Sequence, residues 1–364
     1  MQKETGYQYH GIYRFFLSLM VLWSHSLSLF IPELKIANFQ IGNVAVSSFF
    51  LLSGYLMNSS IQSWYIKKPI NFILNRYLRI SPPLFIASIL SITIHVILIS
   101  RNIFLIDGTA LISNEFISKS NIIYTILTPF YPFNYLIYKI FFQNTLMNYT
   151  FVAYSWAIFI ELLFYWLIFF AYKYKIKKFI VFFSTILFFM ALDKLYLHNF
   201  NFLNNISTIN IFQWAPHFIL GTLLSSFYEK NKILTVLFGI LSIMQLKYYA
   251  HEDYIYVILF YLLVNTIAFS SILKSTNNDK LKKYFDKQLG TLSYPIYINQ
   301  YSLSILLFSL LYLYNINLSS YSLFERIIFY ICYNTLIIIL SKFLILFTDY
   351  FTDNLRNKLR GKVL

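Results

Sequence analysis

Charge and cysteine are both scarce in this chain. Only 12% of its 364 residues are charged, against roughly 25% in soluble globular domains, so an ordinary water-facing surface is excluded. Its single cysteine, Cys332, rules out an intramolecular disulfide and a cysteine-rich metal centre. Set in an apolar run, Cys332 is expected to be a small buried hydrophobe. The six histidines show no metal-ligand spacing, and no metal site is expected. A phosphate-cradling glycine loop and a G-x-S-x-G elbow are both missing, which leaves no local signature for P-loop or serine-hydrolase chemistry. Internal repeats are absent too.

What the chain does contain is apolar and aromatic: 58% hydrophobic residues, 21% Phe, Trp and Tyr. The apolar runs have helical length and lack the ten-residue alternation of a membrane barrel. They predict an all-α polytopic membrane protein of about ten transmembrane helices. The spans fall near 11–31, 42–61, 80–100, 152–172, 179–194, 211–228, 233–249, 254–273, 290–314 and 323–347. The first run carries ionisable residues and no small-residue cleavage pattern, so it is expected to stay as a span and not serve as a signal peptide. If the N-terminus is cytoplasmic, most of the 29 basic residues fall in inner segments at 67–79, 173–178, 230–232, 274–287 and 356–362. By the positive-inside rule both termini are then cytoplasmic. The net charge of +15 is thus mostly a topology signal, and no nucleic-acid partner is expected. A single integral-membrane domain over 1–364, with its core at 11–347 and no appended soluble domain, accounts for the pattern.

Polar residues inside such runs are costly and mark sites or partners. In GIYRFFLSLMVLWSHSLSLF, Arg14 and His25 have ten residues between them, about 16 Å along a helix axis. A neutral imidazole there can accept a proton from a hydroxyl; a hydrogen bond to a neighbouring helix explains it equally well. Arg14 could also snorkel to headgroups. The run VAVSSFFLLSGYLM carries small residues that allow close helix approach, and its Ser53 and Gly54 could line a cavity. In FILNRYLRISPP, Arg76 and Arg79 share a helical face and suit phosphate oxygens, or they are plain inner-side anchors. Pro82 and Pro83 are read as the entry to the third span. Glu161 sits in the apolar YSWAIFIELLFYWLIFF and must be protonated or paired. The aromatic-rich stretch 129–151 reads as an interfacial anchor or a stacking platform for sugars. His95 and His217 sit in apolar surroundings.

Together these segments resemble the membrane-bound acyltransferase family 3, the group of bacterial O-antigen and exopolysaccharide O-acetyltransferases. Arg14 and His25 match its first-span pattern. FFLLSGY, RYLRISP and WAIFIELLFY, with Trp156, Glu161, Phe164 and Tyr165, match further elements in the family's order, as do PHFILGTLLSSF and GTLSYPIYINQYS. Ser47 and Gln300 depart from it, standing where an aspartate and a histidine are usual.

The resemblance implies an enzyme of the bacterial inner membrane. It would move an acyl group, most often acetyl, from cytoplasmic acyl-coenzyme A to a hydroxyl of an extracytoplasmic or lipid-linked glycan. His25 and Glu161 are the expected catalytic residues, and Arg14, Arg76, Arg79 and Ser53 the expected donor-binding ones. Acyl-coenzyme A acts as a substrate, with no permanently bound cofactor; the other partners are the glycan acceptor and membrane lipids. A glycan or lipid transporter or flippase, working without acyl transfer, is the alternative, because buried Arg, His and Glu also suit a substrate pathway.

Overall fold

A computed structural model describes residues 10–32, 41–100, 119–130, 151–152, 155–176, 208–225, 232–250, 254–274 and 280–360. Among them every regular element is helical. The helices are α1 (Gly11–Phe30), α2 (Ile41–Ser60), α3 (Pro69–Ser100), α4 (Lys119–Leu127), α5 (Trp156–Lys173), α6 (Thr208–Ser225), α7 (Lys232–Ala250), α8 (Tyr254–Lys274), α9 (Lys280–Leu313) and α10 (Leu323–Leu359). Nine of the ten expected spans coincide with helices; that at 179–194 lies outside the described residues. Five described helical stretches are long and apolar enough to cross a membrane: Ile41–Tyr65, Pro69–Ser100, Trp156–Lys173, Lys280–Leu313 and Leu323–Leu359. α1 is not among them, its apolar run being diluted by Arg14, His25 and several serines.

Three helices run further than their apolar cores. α3 begins at Pro69, α9 at Lys280, and α10 continues to Leu359. Hydropathy marks where lipid can cover a helix, whereas hydrogen bonding decides where the helix ends. Pro82 and Pro83 accordingly lie inside α3 and do not open it. Lacking N–H groups, they cannot donate back to the carbonyls of Leu78 and Arg79 as other helical residues would. The π-helical turn Ile61–Tyr65 closes α2.

Large apolar side chains on the described helices are exposed. On α10, Phe343, Leu346 and Phe347 are all more than half exposed, as expected where lipid is the solvent. Cys332 is likewise exposed on α10 and is not the buried residue expected.

The described chain forms two compact units, each assembled from separate stretches of sequence. The first comprises residues up to Phe49, Ile243–Gln300 and Leu311–Leu346. In it, Asp286 is fully buried and its carboxylate accepts the backbone N–H of Gly11 (2.9 Å) and of Ile12 (2.8 Å). This caps α1 from the far end of the sequence: it satisfies two N–H groups that a helix start cannot and sets negative charge at the positive end of the helix dipole. Glycine makes the approach possible. A Cβ on Gly11 would lie 1.8 Å from the Asp286 carbonyl oxygen, and one on Gly290 would lie 2.7 Å from the Gly11 Cα. Asn265 is a second polar node, accepting from the Tyr13 hydroxyl (2.7 Å) and donating to Ser48 Oγ (2.9 Å), so that α1, α2 and α8 are tied together. Phe30 packs against Tyr330 and Tyr333 of α10.

The second unit comprises Phe50–Ser242, Tyr301–Leu310 and Phe347–Leu364. α2 and α6 touch backbone to backbone there. A Cβ on Gly54 would meet the Phe218 carbonyl oxygen at 2.0 Å, and one on Gly221 the Leu51 carbonyl oxygen at 1.9 Å. This is the close approach that small residues permit between membrane helices. Phe218 fills the space beside it, stacked on Phe50 (4.7 Å) and Phe164 (4.1 Å). Asn58, fully buried, donates to the Thr222 carbonyl and accepts from the Tyr172 hydroxyl (2.8 Å).

Two outcomes follow for stability in detergent. Asp286→Ala strands two N–H groups and should lower stability by about 1–3 kcal/mol, seen as a lower unfolding midpoint; an unchanged midpoint would refute the capping role. Gly54→Val must push α2 from α6 and should sharply reduce the folded fraction on size exclusion, while the exposed Leu346→Val should not.

Candidate functional site

Four of the six expected site residues belong to the second unit, and three of them share one cluster. Glu161 lies mid-α5, half-buried in an apolar helix that would otherwise strand its carboxyl group. Its Oε1 accepts from Ser53 Oγ of α2 at 2.9 Å and from the Tyr165 hydroxyl one turn along α5. The i,i+4 spacing puts Glu161 and Tyr165 on one face. Glu161 therefore meets its need for partners through hydroxyls from two helices.

Arg76 of α3 approaches the same place. Its guanidinium carbon sits 5.2 Å from the ring centroid of Phe72 and 5.2 Å from that of Tyr165. Two aromatic faces hold the cation by attraction to their π electrons while leaving the in-plane N–H edges for an anion. Among the described residues Arg76 makes no ion pair. Arg79 lies three residues on in the same helix. Phe72 is fixed in turn, buried edge-on against Tyr65 and Tyr165. The Trp166 indole N–H donates to the Tyr77 hydroxyl at 2.9 Å, holding α5 to α3 beside the cluster.

Arg14 and His25 belong to the first unit. α1 is helical throughout, so two positions eleven residues apart differ by about 20° around its axis and lie on one stripe. Arg14 is half-buried and His25 exposed. Gln300, at the position where the family usually has histidine, is buried, and its backbone carbonyl accepts from Tyr333 at 3.4 Å.

His95 is buried in the second unit on α3, its ring against Phe151 and stacked on Tyr301, with Nδ1 2.7 Å from the Ser91 carbonyl oxygen. Most of the aromatic-rich stretch 129–151 lies outside the described residues. Among the described residues no group of His, Cys, Asp and Glu side chains could hold a metal ion.

Sequence reasoning passes over two residues. Tyr165 is legible only as part of a motif, although its spacing from Glu161 marks a shared face. Asp286 carries a fainter signal, a lone acid in the basic stretch KLKKYFDKQLG.

Apolar helices with lipid-ready faces, enclosing ionisable clusters, define an integral membrane protein with an internal polar site. A family model for an acyltransferase domain matches residues 11–346, nearly the whole chain, and the chain belongs to acyltransferase family 3. It is therefore a membrane acyltransferase. No curated protein and no solved structure matches the chain.

The shared acceptor oxygen makes a direct test of the cluster. Tyr165→Phe and Ser53→Ala should each cost about 1 kcal/mol of stability, measured by unfolding in detergent. Because both hydroxyls serve one atom, the double change should depart from additivity by at least about 0.5 kcal/mol. Strict additivity would mean that Glu161 is not their common partner.

Proposed function

We propose that this enzyme transfers an acyl group, most often acetyl, from acyl-coenzyme A on the cytoplasmic side to a hydroxyl of an extracytoplasmic or lipid-linked glycan, in a bacterial inner membrane. The proposal includes about ten spans with both termini inside, in a single acyltransferase domain. The observation that carries it is the Arg76 guanidinium over the Phe72 and Tyr165 rings, beside the Ser53–Glu161–Tyr165 cluster. A basic group held over aromatic faces, with no ion pair among the described residues, suits phosphate oxygens. Coenzyme A presents a pyrophosphate and a 3′-phosphate.

In this reading Arg76 and Arg79 hold the phosphates of the donor, with Arg14 as a further cation and Ser53 as a polar contact. His25 takes the proton of the acceptor hydroxyl as the oxygen attacks the thioester carbonyl. The carbon–sulfur bond breaks, the new ester forms, and the proton passes to the departing thiolate. Glu161 supports charge in the site, held in position by Ser53 and Tyr165.

Purified protein in liposomes, given labelled acetyl-coenzyme A and candidate glycans, separates this from a transporter: label must become covalent on the glycan. His25→Ala should reduce that transfer by at least about 100-fold with insertion intact. Arg76→Ala should weaken coenzyme A binding by about tenfold or more and leave glycan binding unchanged. Full transfer by the His25 variant, or equal loss of both ligands in the Arg76 variant, would overturn the corresponding assignment.

A further inference from the structure

The 34 residues of α9 give it about 50 Å of length, well beyond the roughly 30 Å of a bilayer's hydrocarbon. The surplus lies at its start, where KLKKYFDKQLG precedes the apolar run. This stretch belongs to the first unit together with α1. At about 100° per residue it has three sides. Asp286 and Gly290 form one, turned onto Gly11 of α1. Leu281 and Phe285 form a second, 70% and 59% exposed. Lys280, Lys283 and Lys287 form the third, all of them exposed, and the exposed Tyr284 stands between the apolar and basic sides. The cap on α1 sets this orientation: with Asp286 committed inward, the other two sides of the same turns face out.

Charge on this stretch is one-sided. Lys282 is exposed as well, so four lysines stand against Asp286, whose carboxylate is buried on two N–H groups. The one other acid among the described residues of the first unit is Glu325. It follows the far end of α9, where it accepts the Ser322 N–H at 2.8 Å. An exposed apolar flank beside an exposed basic one calls for two things at once: cover for Leu281 and Phe285, and counter-charge for the lysines. A soluble anion supplies only the second. The headgroup layer of a membrane supplies both, taking apolar side chains at its acyl boundary and ammonium groups at its phosphates, with tyrosine at the level between.

We infer that the first turns of α9, residues 280–287, dock on anionic phospholipid headgroups. This rests on the topology proposed above, which places the surface at the cytoplasmic leaflet. Because the same turns cap α1 through Asp286, the docked lipid braces the helix that carries Arg14 and His25.

The test uses full-length protein reconstituted in mixtures of phosphatidylcholine and phosphatidylglycerol. A fluorophore is attached at Gln288→Cys in a Cys332→Ser background, and a quencher is carried on one lipid at a time. Gln288 is exposed beside Tyr284 on the outward side, so quenching reports the headgroups next to α9. Phosphatidylglycerol should be enriched there by at least about fivefold over phosphatidylcholine, and less at high salt. Lys280→Gln combined with Lys287→Gln should bring the ratio to within about twofold of parity, whereas the two arginine replacements should keep it. A ratio near parity with all the lysines in place, or one untouched by the glutamine changes, overturns the inference. So does displacement of the lipid by soluble glycerol phosphate at equal concentration, which would make this a free-anion site. Sidedness is read separately with a membrane-impermeant maleimide on Gln288→Cys. Labelling from the outer side overturns the proposed topology and the cytoplasmic placement with it; labelling from the inner side without enrichment overturns the docking alone.

Discussion

In a medium without water, a polar group must find its partner inside the protein. That requirement organises both units of this chain. The cost of an unsatisfied donor, acceptor or charge in hydrocarbon is several kcal/mol, comparable to a large share of a protein's net stability of about 5–15 kcal/mol. Asp286 meets it by taking two N–H groups at the start of α1. Glu161 meets it with hydroxyls from Ser53 and Tyr165. Asn58 and Asn265 do the same for neutral amides, each joining helices distant in sequence. Packing by small residues then brings the backbones close enough for these bonds to form, as Gly54 and Gly221 do between α2 and α6.

Cations are handled differently. Arg76 is held by the faces of Phe72 and Tyr165, and Arg356 by two carboxylates. The difference matters chemically. An arginine paired with carboxylates has its hydrogen bonds committed, whereas one held over aromatic rings keeps its donor edges for a ligand. Tyr165 serves both halves of the cluster, giving its hydroxyl to Glu161 and its ring to Arg76. A single side chain thus links the acid mid-α5 to the basic end of α3, and a change at either is felt by the other.

Much of the helical pattern is legible in the chain. Apolar runs mark nine helices among the described residues, because a lipid-covered helix must be apolar along its length. Their ends are less legible: α3, α9 and α10 outrun their apolar cores into basic sequence that still supports helical hydrogen bonds. Cys332 misleads because burial and hydrophobicity part company in a membrane, where an apolar residue can face outward. The site is legible as separate pieces. Arg76, Ser53 and Glu161 stand out as polar residues in apolar or basic runs, but nothing in one dimension joins Ser53 to Glu161 across more than a hundred residues.

Composition and motif order are properties of the linear chain, so the class of molecule, its family and the residues too expensive to be incidental could all be read before any fold was known. Partnership could not. Folding placed the Tyr165 ring beside Arg76, assigned Ser53 to Glu161, sent Asp286 to cap α1, and brought the Leu359 carbonyl to Asn71 at the start of α3. Those pairings depend on helix rotation and close approach, and the same apolar runs could be packed in many other ways.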